Sequence, residues 1–333
     1  MHVHLENLST KPPVFRLTSD LVRETRRDHP DLASKVRFSV DDDLERLATN
    51  LRTANVLVTS SDVLRHPRFP LADMALFAPR LRFVHVIGAG VDALLPLDWL
   101  PRGVRLTNNS GVHVAKAREF IVMALLALNS RLPEIVWNQR HARWNQVFTP
   151  TIRGKRLAVI GLGDMGRTAV AAGRMLGLEI VGVRRSGKSV PGVSRVYPPA
   201  GLRTALKRAD FIVAAAPLTT ETRGLLDRAA LEAAKPGVGL INIGRAGLLD
   251  HDAVVDLLKT GHMSGAILDV FASEPLPVAS PLWNAPNLIV SPHVSSDDLD
   301  GYMRETMNLV CRNLRACLAG RRLSNVVDPA RGY

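Results

Sequence analysis

The sequence predicts an α/β protein of two domains, with a doubly wound parallel sheet inserted in a smaller sheet of the same class. Three observations carry this prediction. A chain of 333 residues is longer than one hydrophobic core comfortably serves. Short β-type runs alternate with helical ones in two separate series. The second series opens on a glycine-rich turn set between a strand and a helix.

In the first series the strand candidates are Val14–Leu17, Val36–Val40, Asn55–Thr59, Phe83–Ile87 and Val104–Thr107, each bounded by Pro, Asp, Ser or Gly. Ser19–Arg27 and Asp41–Leu51 read as helices between them, with Ser19 and Asp41 in capping positions. An Ala- and Leu-rich helical run without Gly or Pro follows from Val112 to Asn129, and Pro133 and the segment to Pro150 break it. The second series has six strands: Leu157–Ile160, Glu179–Val183, Phe211–Ala215, Gly239–Ile243, Ala266–Leu268 and Leu288–Val290. Six strands with helical crossovers match a doubly wound sheet. A last helix, Leu299–Leu318, carries Met303, Met307, Val310, Leu314 and Cys317 at helical spacing.

Composition narrows the function classes. With 46% hydrophobic and 22% charged residues the chain is an ordinary globular one. A net charge of +12 and a pI near 10.4 raise nucleic acid as a partner. However, the basic residues form no run of five, and aromatics make only 5%, so a phosphate track with stacking platforms is not supported. A positive field that draws in anionic substrates is the simpler use. Cys311 and Cys317 sit six apart on one helix with no Cys/His cluster, which argues against a disulfide framework or a metal site. The N-terminal MHVHLENLST lacks the apolar core of a signal peptide, and the longest apolar stretch, Phe120–Leu128, is far short of a bilayer span. The expectation is a cytoplasmic protein with no membrane association.

Leu157–Ile160 runs directly into Gly161-Leu-Gly163-Asp164-Met165-Gly166 and then a helical stretch to Leu176. A bare GxGxxG is an ordinary Gly-rich turn; between a strand and a helix it is a dinucleotide fingerprint. Gly161 allows the tight turn, Gly163 the approach of a pyrophosphate, and Gly166 close helix–strand packing, with the phosphates on the helix N-terminus. NAD-binding chains place an acidic residue at the end of the next strand for the ribose hydroxyls. Here Arg184, Arg185, Ser186 and Lys188 stand there instead. An Asp would repel a 2′-phosphate, whereas guanidinium and hydroxyl groups suit one. NADP(H) is therefore the expected cofactor and NAD(H) the alternative; the competing reading of these arginines is a solvated loop.

Arg245, Glu274 and His293 each follow a predicted strand of the second series, and ligands bind outside the carboxyl ends of such strands. Singly, each has a plain reading: a helix-entry charge, a loop carboxylate, a His ending a strand. Together they supply the proton donor and the positive charge that carbonyl reduction needs beside a developing oxyanion.

Ala216–Gly224, Ile241–Asp250, Leu268–Pro277 and Ser291–His293, with Gly161–Gly166, resemble the D-2-hydroxyacid dehydrogenase family over about residues 84–295. Val86–Asp92 and the Arg184–Ser186 region resemble its glyoxylate/hydroxypyruvate reductase branch. The resemblance implies a Rossmann-type cofactor domain, 108–295, inserted in a flavodoxin-like substrate domain, 1–107 plus 296–333, with the active site between them. It implies that His293 is the general acid in reduction, that Glu274 orients the imidazole, and that Arg245 binds the substrate carboxylate and the reacting carbonyl. Gly88, Ala89 and Gly90 would hold the carboxylate's other oxygen through N–H groups. Cofactor contacts would come from Gly161, Gly163, Asp164, Met165, Gly166, Arg184, Arg185, Ser186, Pro217, Thr222, Ile243, Gly244, Asp269 and Ser295, with Asp269 receiving the nicotinamide carboxamide. The apolar helix from Val112 to Asn129 would pack against a second subunit in a homodimer. His113 would border the active site. Gly244 stands where the family often has Ala, which is expected to loosen the local backbone. The implied activity is reduction of a small 2-oxo acid to its 2-hydroxy acid. The alternatives are a dinucleotide-sensing regulator of the same fold, and a dehydrogenase for a phosphorylated hydroxy acid, which Arg65 and His66 keep open.

Overall fold

The computed structural model describes residues 1–69 and 71–333. The chain divides into two compact units, Met1–His113 with Asp297–Tyr333, and Val114–Ser296. The α/β class expected from the sequence holds in both.

The first unit is a five-stranded parallel sheet of β1 (His2–Glu6), β2 (Arg37–Asp41), β3 (Val56–Thr59), β4 (Phe83–Val86) and β5 (Arg105–Asn108). The order is β2-β1-β3-β4-β5, the flavodoxin-like arrangement. One face buries Val3, Leu5, Val56, Val58 and Phe83 with the helices Ser19–Asp28 and Tyr302–Leu318; the other buries Leu47, Leu57, Val84, Val86 and Leu106.

Two sequence expectations are corrected here. The strand read at Val14–Leu17 is a 3-10 turn, Pro13–Phe15, because Pro12 and Pro13 at its start leave no N–H for a ladder. The missing strand is β1, an interior strand between the edge strand β2 and β3. Its His2, His4 and Glu6 read as polar, yet all five residues are buried. His4 spans Glu6 at 2.8 Å and Ser39 at 2.9 Å, and His2 meets Ser39 at 2.7 Å and Thr53 at 3.0 Å. The helix caps also shift. Thr18 rather than Ser19 accepts from Leu21 N, and Asp43 rather than Asp41 accepts from Glu45 N. The Asp41 carboxylate instead ends β2, accepting from the backbone of Asp42 and Asp43 and from Asn50.

The second unit is a seven-stranded parallel sheet, one strand more than the sequence suggests. Its strands are β6 (Arg156–Ile160), β7 (Glu179–Val183), β8 (Arg195–Tyr197), β9 (Phe211–Ala214), β10 (Val238–Asn242), β11 (Met263–Leu268) and β12 (Leu288–Val290). They run β12-β11-β10-β9-β6-β7-β8. The order reverses at β6, and the crevice at such a switch point is where doubly wound sheets bind dinucleotides. The unpredicted β8 is a three-residue edge strand on β7. Central strands read as continuous apolar runs because both faces are covered; all five residues of β10 are buried. The helix Val114–Asn129 packs over that sheet, where Gly239 and Gly265 leave room for the Leu128 side chain. No single helix among the described residues is long and apolar enough to cross a membrane.

Candidate active site

The turn after β6 has the geometry its glycines promise. Gly161 has φ +92°, and a Cβ there would lie 2.5 Å from Ala216 Cα. A Cβ on Gly166 would run into the Gly161 carbonyl, so the helix Asp164–Met175 can start hard against the turn only without one. At Gly163 the same construction meets nothing within 4 Å. Gly163 is also the helix N-cap and offers no side-chain cap to the first-turn N–H groups, the arrangement in which a helix start receives an anion. An open approach over an uncapped helix start is the fit a pyrophosphate requires, and Asp164 and Met165 follow directly on that turn.

At the carboxyl end of β7, Arg184 N continues the ladder to Tyr197 O at 3.0 Å, and Ser186 Oγ accepts from Lys188 N. Arg184 is half-buried, while Arg185, Ser186 and Lys188 are exposed. None of these three cations is ion-paired among the described residues. The charge is also less scattered than a search for runs suggests. From Arg140 to Arg208 there are fourteen Lys and Arg against two carboxylates, Asp164 and Glu179, an excess equal to the +12 of the whole chain. That segment contains β6, the glycine turn, β7 and β8, the half of the sheet that would receive the adenosine phosphates.

Three adjacent strands, β10, β11 and β12, place the catalytic candidates on one edge. Glu274 Oε1 accepts from Phe271 N at 2.8 Å, which leaves Oε2 to meet His293 Nδ1 at 2.7 Å. With Nδ1 engaged, Nε2 is the nitrogen available to a ligand, and the imidazole is half-exposed. His293 holds a left-handed backbone, φ +56°, which a non-glycine residue keeps only under restraint. The restraint comes from a residue assigned from sequence to another task. Asp269, almost wholly buried, accepts at Oδ1 from Ser291 Oγ at 2.6 Å, Val294 N at 3.0 Å and Ser295 N at 3.2 Å. It thus ties down both sides of His293.

The β10 end is built similarly. Asn242 is buried; its Oδ1 accepts from Gly244 N and its Nδ2 donates to Arg245 O, both at 3.1 Å, and this closes the turn that presents Arg245. Arg245 Nη1 donates to Gly244 O at 2.7 Å. The expectation that Gly244 loosens this turn is corrected. A Cβ there would sit 3.0–3.2 Å from Leu248 Cδ1 and from the Ala216 and Ala214 carbonyls, so glycine permits tighter packing. Ile243 is buried in the core under the site. Thr222 spends its hydroxyl locally, donating to Pro217 O at 2.6 Å and accepting from Thr219 N at 2.8 Å. Asp269 and Asn242 as supports of His293 and Arg245 escaped the sequence reading, because a strand-ending Asp or Asn also serves ordinary turns.

In the first unit Gly88, Ala89 and Gly90 follow β4. Among the described residues no protein acceptor takes their N–H groups, whereas the carbonyls of Ile87, Gly88 and Ala89 are taken. Three successive backbone donors without a protein acceptor are open to an anion. Elsewhere in that unit the His113 ring packs at 5.0 Å against Tyr302, the two planes tilted by 58°.

Comparison with known proteins gives the family. The family described as D-isomer specific 2-hydroxyacid dehydrogenase, NAD binding domain, matches residues 122–295. A glyoxylate/hydroxypyruvate reductase B from Pectobacterium carotovorum is 31% identical over 264 residues, 77% of this chain and 82% of that protein. D-3-phosphoglycerate dehydrogenase from Mycobacterium tuberculosis is 32% identical over 78% of this chain, which spans about half, 49%, of its length. The structure of a D-isomer specific 2-hydroxyacid dehydrogenase from Xanthobacter autotrophicus Py2, in complex with NADPH and MES, superposes with a TM-score of 0.82 at 30% identity, covering 99% of both chains. The chain therefore belongs to the D-isomer specific 2-hydroxyacid dehydrogenase family.

Proposed function

We propose that this protein is an oxidoreductase that moves a hydride between NADPH and a small 2-oxo acid, giving the 2-hydroxy acid. The observation that carries the reading is the Glu274–His293 pair, fixed at 2.7 Å on the strand edge that also presents Arg245. NADPH, when bound along the Gly161–Gly166 turn, supplies the hydride. The residues of this chain do the rest. Arg245 offsets charge on the substrate carboxylate and on the oxygen that becomes an alkoxide. His293 delivers a proton to that oxygen from Nε2, while Glu274 holds the ring at Nδ1. The N–H groups of Ala89 and Gly90 take the other end of the carboxylate. The test follows NADPH absorbance with a panel of 2-oxo acids; no turnover with any of them sinks the proposal. A phosphorylated 2-oxo acid belongs in the panel, because of the likeness to D-3-phosphoglycerate dehydrogenases and the exposed Arg65 beyond β3. Preference for it over glyoxylate would transfer the assignment.

NADPH is expected to outperform NADH, since unpaired Arg184 and Arg185 suit a 2′-phosphate and repel nothing. Arg185→Ala should lower kcat/KM for NADPH by about tenfold, the worth of one charge-assisted hydrogen bond, and leave NADH within twofold. A higher kcat/KM with NADH in the wild type would sink this claim. The concentrated positive charge also supports steering of a polyanionic cofactor.

A homodimer is the proposed assembly. Met123, Leu126, Leu132 and Ile135 stand exposed on the helices Val114–Asn129 and Leu132–Arg140, and Trp144 and Phe148 beyond them are 95% and 86% exposed. Large apolar groups left open in this number are what a second subunit covers. Sedimentation should give twice the 36.3 kDa chain mass at micromolar concentration; a monomer there refutes it.

A further inference from the structure

The three peptide planes of the Gly88–Gly90 loop are each fixed from behind by a hydrogen-bond donor on its carbonyl. Asn109 Nδ2 and Tyr302 Oη both donate to Ile87 O, each at 2.6 Å. Asn109 N donates to Gly88 O at 3.0 Å, and Asn108 Nδ2 to Ala89 O at 2.8 Å. In a planar trans peptide the C=O of one residue and the N–H of the next point in opposite directions. Holding the carbonyls of Ile87, Gly88 and Ala89 therefore turns the N–H groups of Gly88, Ala89 and Gly90 away from Asn108, Asn109 and Tyr302.

These donors are themselves locked. Asn109 Nδ2 must face Ile87 O, which can only accept, so its Oδ1 faces His85 Nε2 at 2.9 Å, and that nitrogen must carry the proton. The Thr107 hydroxyl lies 2.9 Å from His85 Nδ1 and 3.2 Å from Val84 O. Thr306 accepts from Asn109 Nδ2 at 2.7 Å and passes its own proton to Tyr302 O at 2.8 Å. Asn108 Oδ1 accepts from Ser110 N. The Asn109 amide, the Thr306 hydroxyl and the Tyr302 hydroxyl each have one orientation, which is what a preorganised anion site needs: no dipole has to turn when the ligand arrives.

We infer that Asn108, Asn109 and Tyr302 are positioning residues for the substrate carboxylate, acting through the backbone N–H groups of Ala89 and Gly90. The inference rests on the reductase reading and adds to it the residues that make the loop an anion receptor. Asn108 sets the Gly90 N–H most directly; Tyr302 and Asn109 set the start of the loop.

Asn108→Ala and Tyr302→Phe test this with two substrates, a 2-oxo acid and the uncharged 2-oxo amide of the same chain length. Asn108→Ala is expected to lower kcat/KM for the acid at least tenfold, mainly through KM, and to change the amide value less than twofold. Tyr302→Phe, which keeps the ring and removes only the hydroxyl, should do the same by about threefold. NADPH affinity should be unchanged in both. Equal losses on acid and amide, or no loss on the acid, would overturn the positioning role while leaving the reductase reading intact. Wild-type protein that turns over no 2-oxo acid would instead overturn the reductase reading, and this inference with it.

Discussion

His293→Ala is expected to lower kcat for reduction of a 2-oxo acid by about two to four orders of magnitude, the usual worth of a positioned acid–base group. NADPH affinity should stay within twofold, because the glycine turn and the Arg184–Ser186 segment lie on other strands. Glu274 fixes Nδ1 and is itself fixed by Phe271 N, so Nε2 is the only nitrogen of that ring free to serve the substrate. Glu274→Gln, which keeps an acceptor but loses the charge, should cost less than His293→Ala. Asp269→Asn weakens the acceptor that bridges Ser291, Val294 and Ser295 and should lower kcat through misplacement of His293. Single-turnover absorbance traces check all three. A His293→Ala enzyme that keeps a tenth of wild-type kcat would remove His293 from the mechanism. Tight dinucleotide binding with no turnover in the wild type would favour the sensing regulator.

The second large effect is on stability. His85 is fully buried, and burial holds its imidazole down to about 4, against an ordinary value of 6.5. The unfolded chain takes up a proton near pH 6.5 that the folded chain refuses until about pH 4. The stabilisation is therefore complete above pH 6.5, falls as pH drops through the interval, and levels off below pH 4. The interval corresponds to about 3 kcal/mol. His2 and His251, also lowered chiefly by burial, push the same way. The comparison of wild type with His85→Gln isolates the one residue, since the slope against pH is read rather than the absolute stability. Urea unfolding between pH 7 and pH 4 should show the steeper decline in wild type. Parallel slopes would mean that His85 is solvated and that the hydrogen-bond chain under Gly88–Gly90 is looser than its distances indicate.

How much of this was legible beforehand follows from how far each residue's partners lie along the chain. The Gly161–Gly166 turn could be read because the requirement is local: a positive φ and a missing Cβ within six residues. The strand–helix alternation could be read because apolar periodicity belongs to single segments. The edge strand β8, with Pro191 and Pro198 about it and only three residues on its neighbour, has too little periodicity to register. β1 failed for a different reason. His2 and His4 are burial-compatible only because Ser39 and Thr53, more than thirty residues away, meet them, and Glu6 is held in turn by His4.

The same division runs through the candidate site. The sequence alone determined the fold class, the dinucleotide turn and the candidates Arg245, Glu274 and His293, because these depend on residue type and short spacing. Only the tertiary structure decided that Asp269 braces the His293 segment, that Gly244 tightens rather than loosens its turn, and that Tyr302 and Asn109 meet at the carbonyl of Ile87. Those outcomes hang on hydrogen bonds between residues up to 215 positions apart, and a buried polar group's role is set by the partner that satisfies it, which no local pattern encodes.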